Sequence, residues 1–137
     1  MADLCLSPDT RLAGGCHCGA VRYVVEAAAH QIQHCHCSIC RRTQGAVFAT
    51  YAAVSRGAIV VEQRQAALAT FVSSAAVRRQ FCRNCGCHLL LEDDRTPDLI
   101  WYTPATLDRG RPGHPEGTEQ HVFLESRLSW FHLKEPG

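Results

Sequence analysis

Three cysteine clusters constrain what this chain can become. They are Cys16-His17-Cys18-Gly19, Cys35-His36-Cys37-Ser38-Ile39-Cys40 and Cys82-Arg83-Asn84-Cys85-Gly86, and they hold seven of the nine cysteines. Thiols this close in sequence have the spacing of metal-binding turns, and a glycine behind two of the clusters lets the backbone turn tightly. Tetrahedral zinc takes four ligands, so seven thiols divide as four plus three. Cys35-x-Cys37-x-x-Cys40 can supply three sulfurs to one ion by itself, which leaves Cys16, Cys18, Cys82 and Cys85 for the other. The four-thiol site is closed and structural, a cross-link between the N-terminal third and the C-terminal half whose binding energy is also folding energy. The three-thiol site is open. Three thiolates on a dication leave a charge of −1 and a fourth position for a water, an aldehyde oxygen or another thiol.

Other readings of the same residues stay in play. His34, His36, Cys87 or His88 could close the second site and make both metals structural. Iron–sulfur ligation uses the same donors. Disulfides fit poorly, because cysteines one residue apart are badly placed to bridge each other. A thioredoxin-like role for Cys82-x-x-Cys85 would need a βαβ setting that Phe81 and Leu89-Leu90-Leu91 do not provide. Of the two cysteines left over, Cys5 reads as an exposed tail thiol and Cys87 as a small buried residue beside a metal knuckle.

At 137 residues the chain has the size of a single domain, with residues 1–10 reading as a flexible tail. No apolar run approaches the roughly 18 residues of a membrane helix, and Met1-Ala2-Asp3-Leu4-Cys5 lacks the layout of a signal peptide. The expected compartment is the cytoplasm, where thiols stay reduced and dense cysteines point to metal or catalysis. The formal net charge is +1, and seven thiolates with two zinc ions would move it to −2, so no basic field for nucleic acid exists on either count. The pairs Arg41-Arg42 and Arg78-Arg79 are too local to change that, and no aromatic–basic interleaving accompanies them. Among the fourteen basic residues only Lys134 is a lysine.

The expected fold class is mainly β. Ala20 to Val25, Ala46 to Val54, Ala58 to Val61, Val77 to Phe81, His88 to Leu91, Leu99 to Thr103 and Val122 to Leu128 are rich in strand-forming residues and are separated by turns or cysteine knuckles. A short helix over Ala66 to Ser74 competes with a non-helical reading. Arg109 to Gly117 reads as a long loop.

The order of the clusters, Gly14-Gly15-Cys16-His17-Cys18-Gly19-Ala20-Val21-Arg22-Tyr23, then Cys35 to Arg42, then Phe81-Cys82-Arg83-Asn84-Cys85-Gly86, resembles the glutathione-dependent formaldehyde-activating enzyme family, which has centromere protein V relatives. Leu107-Asp108, His121-Val122-Phe123 and Ser129-Trp130-Phe131 extend the resemblance over most of the chain. It implies an Mss4-like fold of twisted antiparallel sheets with zinc knuckles at the edge. It also implies the same ligand sets, with structural zinc on Cys16, Cys18, Cys82 and Cys85 and a second zinc on Cys35, Cys37 and Cys40, which as a three-coordinate site would lose its metal more readily. The implied activity is carbon–sulfur lyase chemistry on thiol–aldehyde adducts such as S-hydroxymethylglutathione, with a small thiol and an aldehyde as partners. Arg41 and Arg42, directly after the open cluster, are then candidates for glutathione's carboxylates. The alternative is a non-catalytic zinc module, either a glutathione carrier or a protein-interaction domain.

Overall fold

The structure, a computed structural model, describes residues 11–133; Cys5, Lys134 and the proposed tail lie outside them. Its elements are β1 (Leu12–Gly15), β2 (Val21–Val25), β3 (Gln31–Cys35), α1 (Ser38–Gln44), β4 (Ala49–Ser55), β5 (Ile59–Gln63), β6 (Leu68–Ser74), β7 (Val77–Cys82), β8 (His88–Asp93), β9 (Leu99–Tyr102) and β10 (Glu119–Val122). One sheet has the order β1-β2-β5, and the other runs β10-β3-β4-β9-β8-β7-β6.

The run Tyr51 to Val54 explains how the larger sheet is buried. A strand that is apolar at successive positions, not alternate ones, has both faces covered. Ala52 and Val54 pack with Tyr23, Val25, Leu89, Ile100 and Tyr102 in the core shared with the small sheet. Tyr51 and Ala53 point the other way, into a second cluster with Cys35, Cys40, Val77, Leu91 and Trp101. The first core stabilises the fold; the second builds the floor of the open cysteine site.

Between the sheets, the rings of Tyr23 and Tyr102 lie 5.8 Å apart, and the Tyr23 hydroxyl meets Thr106 Oγ1 at 2.6 Å. Gly14 makes that approach possible, since a Cβ there would stand 2.6 Å from the Tyr23 ring and 2.7 Å from the Thr106 carbonyl oxygen. Gly14→Ala is therefore expected to destabilise the fold by about 1–3 kcal/mol, the usual range for overpacking. The midpoint of urea unfolding should fall while the slope of the transition holds.

The mainly β expectation is met, with three local departures. The stretch at Ala66 to Ser74 is not helical: Gln65 and Ala66 turn with positive φ (51° and 52°), and Leu68–Ser74 pairs antiparallel with β7. Thr70, Phe71 and Val72 suit a strand, and the neighbouring strand supplies the hydrogen bonds that a short helix would have had to make alone. The strand expected over Val122 to Leu128 lies earlier, at Glu119–Val122, because Phe123 takes a left-handed conformation (φ 58°, ψ 42°) and a 3-10 turn follows at Leu124–Ser126. That strand also departs from an all-antiparallel sheet, running parallel to β3 with Val122 opposite Cys35. β1, β3 and α1 join the expected set. Residues 109–117 contain no strand or helix.

Candidate metal centres and the adjoining hollow

The two ligand sets separate in space as they do in sequence. The sulfurs of Cys16, Cys18, Cys82 and Cys85 all lie within 4.8 Å of one another, and so do those of Cys35, Cys37 and Cys40. In the first set, Cys16 and Cys18 stand 3.7 Å apart, as do Cys18 and Cys82. Zinc–sulfur bonds of about 2.3 Å in a tetrahedron place ligand sulfurs about 3.8 Å apart, whereas a disulfide holds them near 2.05 Å. The donor set and its spacing fit a tetrahedral thiolate metal site.

Two knuckles form that site. Cys16 and Cys18 occupy the turn between β1 and β2, closed by Gly19 at φ 84°, and the Val21 amide donates to Cys16 Sγ at 3.3 Å. Cys82 ends β7 and Cys85 sits in the next turn, where the Gly86 amide donates to the Cys82 carbonyl at 2.7 Å. Cys87 is partly buried against the main core at this end, less covered than the sequence reading of a small buried residue expects, and burial raises its thiol pKa.

The three-thiol cluster straddles a strand-to-helix junction. Cys35 ends β3, Cys37 caps α1 by accepting from the Cys40 amide at 3.3 Å, and Cys40 lies buried in the first turn of that helix. Strand alternation sends Cys35 toward Tyr51 and Trp101 and its neighbours His34 and His36 away. His34 binds Thr50 at 2.8 Å and Glu119 at 2.7 Å, and His36 Nε2 meets His121 Nδ1 at 2.9 Å among the rings of Phe48 and Phe131. Burial lowers the pKa of both His36 and His121. His88 stacks on Phe81. None of His34, His36, Cys87 or His88 joins the cluster, and among the described residues it gathers no fourth His, Cys, Asp or Glu.

A buried cation touches the cluster from β7, at a position that spacing rules did not single out. Arg79 is only 4% exposed. Its guanidinium donates to Cys40 Sγ at 3.4 Å, Tyr51 Oη at 3.1 Å, Thr43 Oγ1 at 3.4 Å and Ser73 Oγ at 2.9 Å. A buried guanidinium needs an anion nearby, and no carboxylate pairs with Arg79 among the described residues. Cys40 fills that role as a thiolate. The Cys40 thiol pKa is held down to about 6 by hydrogen bonding with Cys35, opposed by burial and helped by the bond and charge of Arg79. A signal was available in the sequence: along Val77-Arg78-Arg79-Gln80-Phe81, Arg79 shares the face of Val77 and Phe81, an arginine in the apolar register.

The cluster forms part of the wall of a hollow of about 330 Å³, floored by Val77, Leu91 and Trp101 and edged by Ile39 and Phe123. Arg41 and Arg42 line a different hollow with Trp130, and Arg41 Nε donates to the His36 carbonyl at 3.2 Å. No helix among the described residues is long and apolar enough to cross a membrane.

Fold and site together define a mainly β protein with two cysteine clusters able to hold metal, one saturated with thiols and one not. The sequence model of the glutathione-dependent formaldehyde-activating enzyme family matches residues 11–126. A Halomonas elongata protein bearing that family name is 33% identical over 133 residues, covering 90% of this chain and 81% of its own. A Pyrenophora teres relative of the same family name is 34% identical over 87 residues, 59% of this chain and 45% of its own length. A Rhodobacter sphaeroides protein of known crystal structure superimposes with a TM-score of 0.60 at 27% identity, over 74% of this chain and 92% of its own. The chain belongs to the glutathione-dependent formaldehyde-activating enzyme family.

Proposed function

We propose that the chain is a zinc-dependent carbon–sulfur lyase that forms and cleaves thiol–aldehyde adducts such as S-hydroxymethylglutathione. Cys16, Cys18, Cys82 and Cys85 hold a structural zinc in this reading, and Cys35, Cys37 and Cys40 hold the second. The observation that carries it is the unsaturated cluster: three thiols gathered at the wall of an open hollow, with no fourth protein donor among the described residues.

A zinc ion bound there would supply Lewis acidity, lowering the pKa of an incoming thiol or polarising an aldehyde oxygen. The protein's part is positional. The end of β3 and the first turn of α1 fix the three sulfurs, Arg79 offsets their charge, and the hollow gives a carbonyl compound access from one side. In the forward reaction the thiol sulfur bonds to the carbonyl carbon as the carbon–oxygen π bond opens. The proton leaving sulfur ends on the new hydroxyl, so the reaction needs no oxidant.

The test is exchange NMR with labelled formaldehyde and glutathione, which reads adduct turnover against the spontaneous rate. Wild-type protein should accelerate exchange, and Cys37→Ser should return it to the spontaneous rate with an unchanged circular dichroism spectrum. Equal loss of folding in that variant would make the second metal structural. Saturable glutathione binding without acceleration would identify a carrier. Arg41 and Arg42 enter as candidates for glutathione's carboxylates from the far flank of α1, and a KM for glutathione unchanged in Arg42→Ala would remove exposed Arg42 from that role.

A further inference from the structure

The hollow beside the three-thiol cluster is more apolar than formaldehyde chemistry requires. Val77, Leu91 and Trp101 form a floor buried within the second core, while Ile39 and Phe123 stand 40% and 51% exposed at the rim. Formaldehyde carries only hydrogens on its carbonyl carbon and would leave these surfaces against water.

The charged groups that border the hollow are already engaged. Arg79 donates to Cys40, Tyr51, Thr43 and Ser73, and Arg95 grips Asp93 through two of its nitrogens at 2.9 and 2.8 Å. With Asp93 against Arg95, and Arg79 against a cluster that carries −1 once a dication is bound, the charges balance, so this wall offers no surplus cation for a carboxylate. Phe123 holds a left-handed backbone, which is uncommon for a bulky residue and costs of order 1–3 kcal/mol. That conformation ends β10 opposite Cys35 and leaves the ring at the mouth of the hollow.

We propose that the aldehyde handled at this site carries an uncharged apolar substituent of about phenyl size, seated between Phe123 and the Leu91–Trp101 floor. This rests on the lyase reading and narrows its substrate class. The carbonyl carbon is one bond from the sulfur, so its substituent falls in the hollow beside the cluster. The carboxylates of a glutathione partner are several bonds away and reach past the rim, outside this hollow. The chemistry is unchanged: sulfur adds to the carbonyl carbon, and the proton from the thiol ends on the hydroxyl of the hemithioacetal.

The closing experiment has a binding arm and a turnover arm, both on the zinc-loaded full chain. S-benzylglutathione and S-methylglutathione, thioethers that cannot react, imitate the aromatic and the formaldehyde adduct. Calorimetry should find the benzyl compound bound about 10-fold more tightly, as burial of a ring-sized apolar surface suggests. Phe123→Gly, which relieves the backbone strain while deleting the ring, should erase most of that preference. In the turnover arm, exchange NMR with glutathione should show benzaldehyde accelerated more strongly than formaldehyde. Equal affinity for the two thioethers, a preference that survives in Phe123→Gly, or formaldehyde as the better substrate would overturn the inference and leave the lyase reading standing. Acceleration of neither aldehyde would end the lyase reading, and this assignment with it.

Discussion

Replacing Cys82 by serine is expected to unfold the chain. Cys82 is fully buried at the end of β7, and its sulfur sits 3.7 Å from that of Cys18, across 64 positions of sequence. Binding of a structural zinc is worth about 10–16 kcal/mol in small zinc domains, whereas whole domains are stable by only about 5–15 kcal/mol. Loss of one thiolate from a four-thiol site should therefore consume most or all of the folding free energy. The measurement is thermal unfolding followed by circular dichroism, beside a zinc count by native mass spectrometry. Wild-type protein should show one cooperative transition that disappears with strong chelators. Cys82→Ser should lack that transition at 25 °C even with zinc added, and a folded variant with an intact transition would show that the first cluster is not what holds the two parts of the chain together.

Arg79→Met should have the second largest effect. The substitution keeps much of the side-chain volume but removes a buried cation that faces Cys40, Tyr51, Thr43 and Ser73. Removing one member of a buried charge pair costs about 3–5 kcal/mol, because the other charge stays buried without compensation. Here that charge is the thiolate cluster. The variant should release metal from the second site at lower chelator concentration, by about 10–100-fold in affinity, the range seen when a group supporting metal ligands is lost. The first site should keep its metal, since Arg79 makes no contact with Cys16, Cys18, Cys82 or Cys85 in the hydrogen-bond network. Arg79→Lys tests whether charge alone suffices, and it should recover metal affinity only in part because one ammonium cannot serve four separated acceptors.

The contrast between these two positions explains what the sequence could and could not disclose. Ligand sets are legible because thiolate chemistry forces close spacing, so Cys16-x-Cys18 and Cys82-x-x-Cys85 announce themselves without any knowledge of the fold. β4 is legible too, since the consecutive buried run from Tyr51 to Val54 has few other uses. Arg79 reads as one half of a surface arginine pair unless strand phase is followed through β7. Its neighbour Arg78 does belong to the surface, bound to Glu92 and Asp94.

Strands held mainly by backbone pairing were the hardest to see. β3 reads Gln31-Ile32-Gln33-His34-Cys35, too polar to stand out, yet it lies between β4 and β10 and places the first ligand of the open cluster. β10 is polar as well, and the more apolar sequence just beyond it drew the expected strand past Phe123, where the left-handed turn takes the chain out of the sheet. Whether His34 and His36 face the open cluster also depends on that pairing, because strand phase decides which side of β3 they occupy.

The parallel pairing of β10 with β3 also sets a schedule for the growing chain. His36 and His121, which touch across this edge, are separated by 85 positions. At a synthesis rate of roughly 5–20 residues per second, that is an interval of about 4–17 s. From the synthesis of Cys40 onward the three thiols exist for nearly all of it without Phe123, the residue that rims their hollow. For those seconds the cluster lacks the β10 edge beside Cys35 and the Phe123 ring at its mouth. The arrival of β10 sets Phe123 at the mouth of the hollow, so metal delivered before that pairing meets a different approach from metal delivered after it.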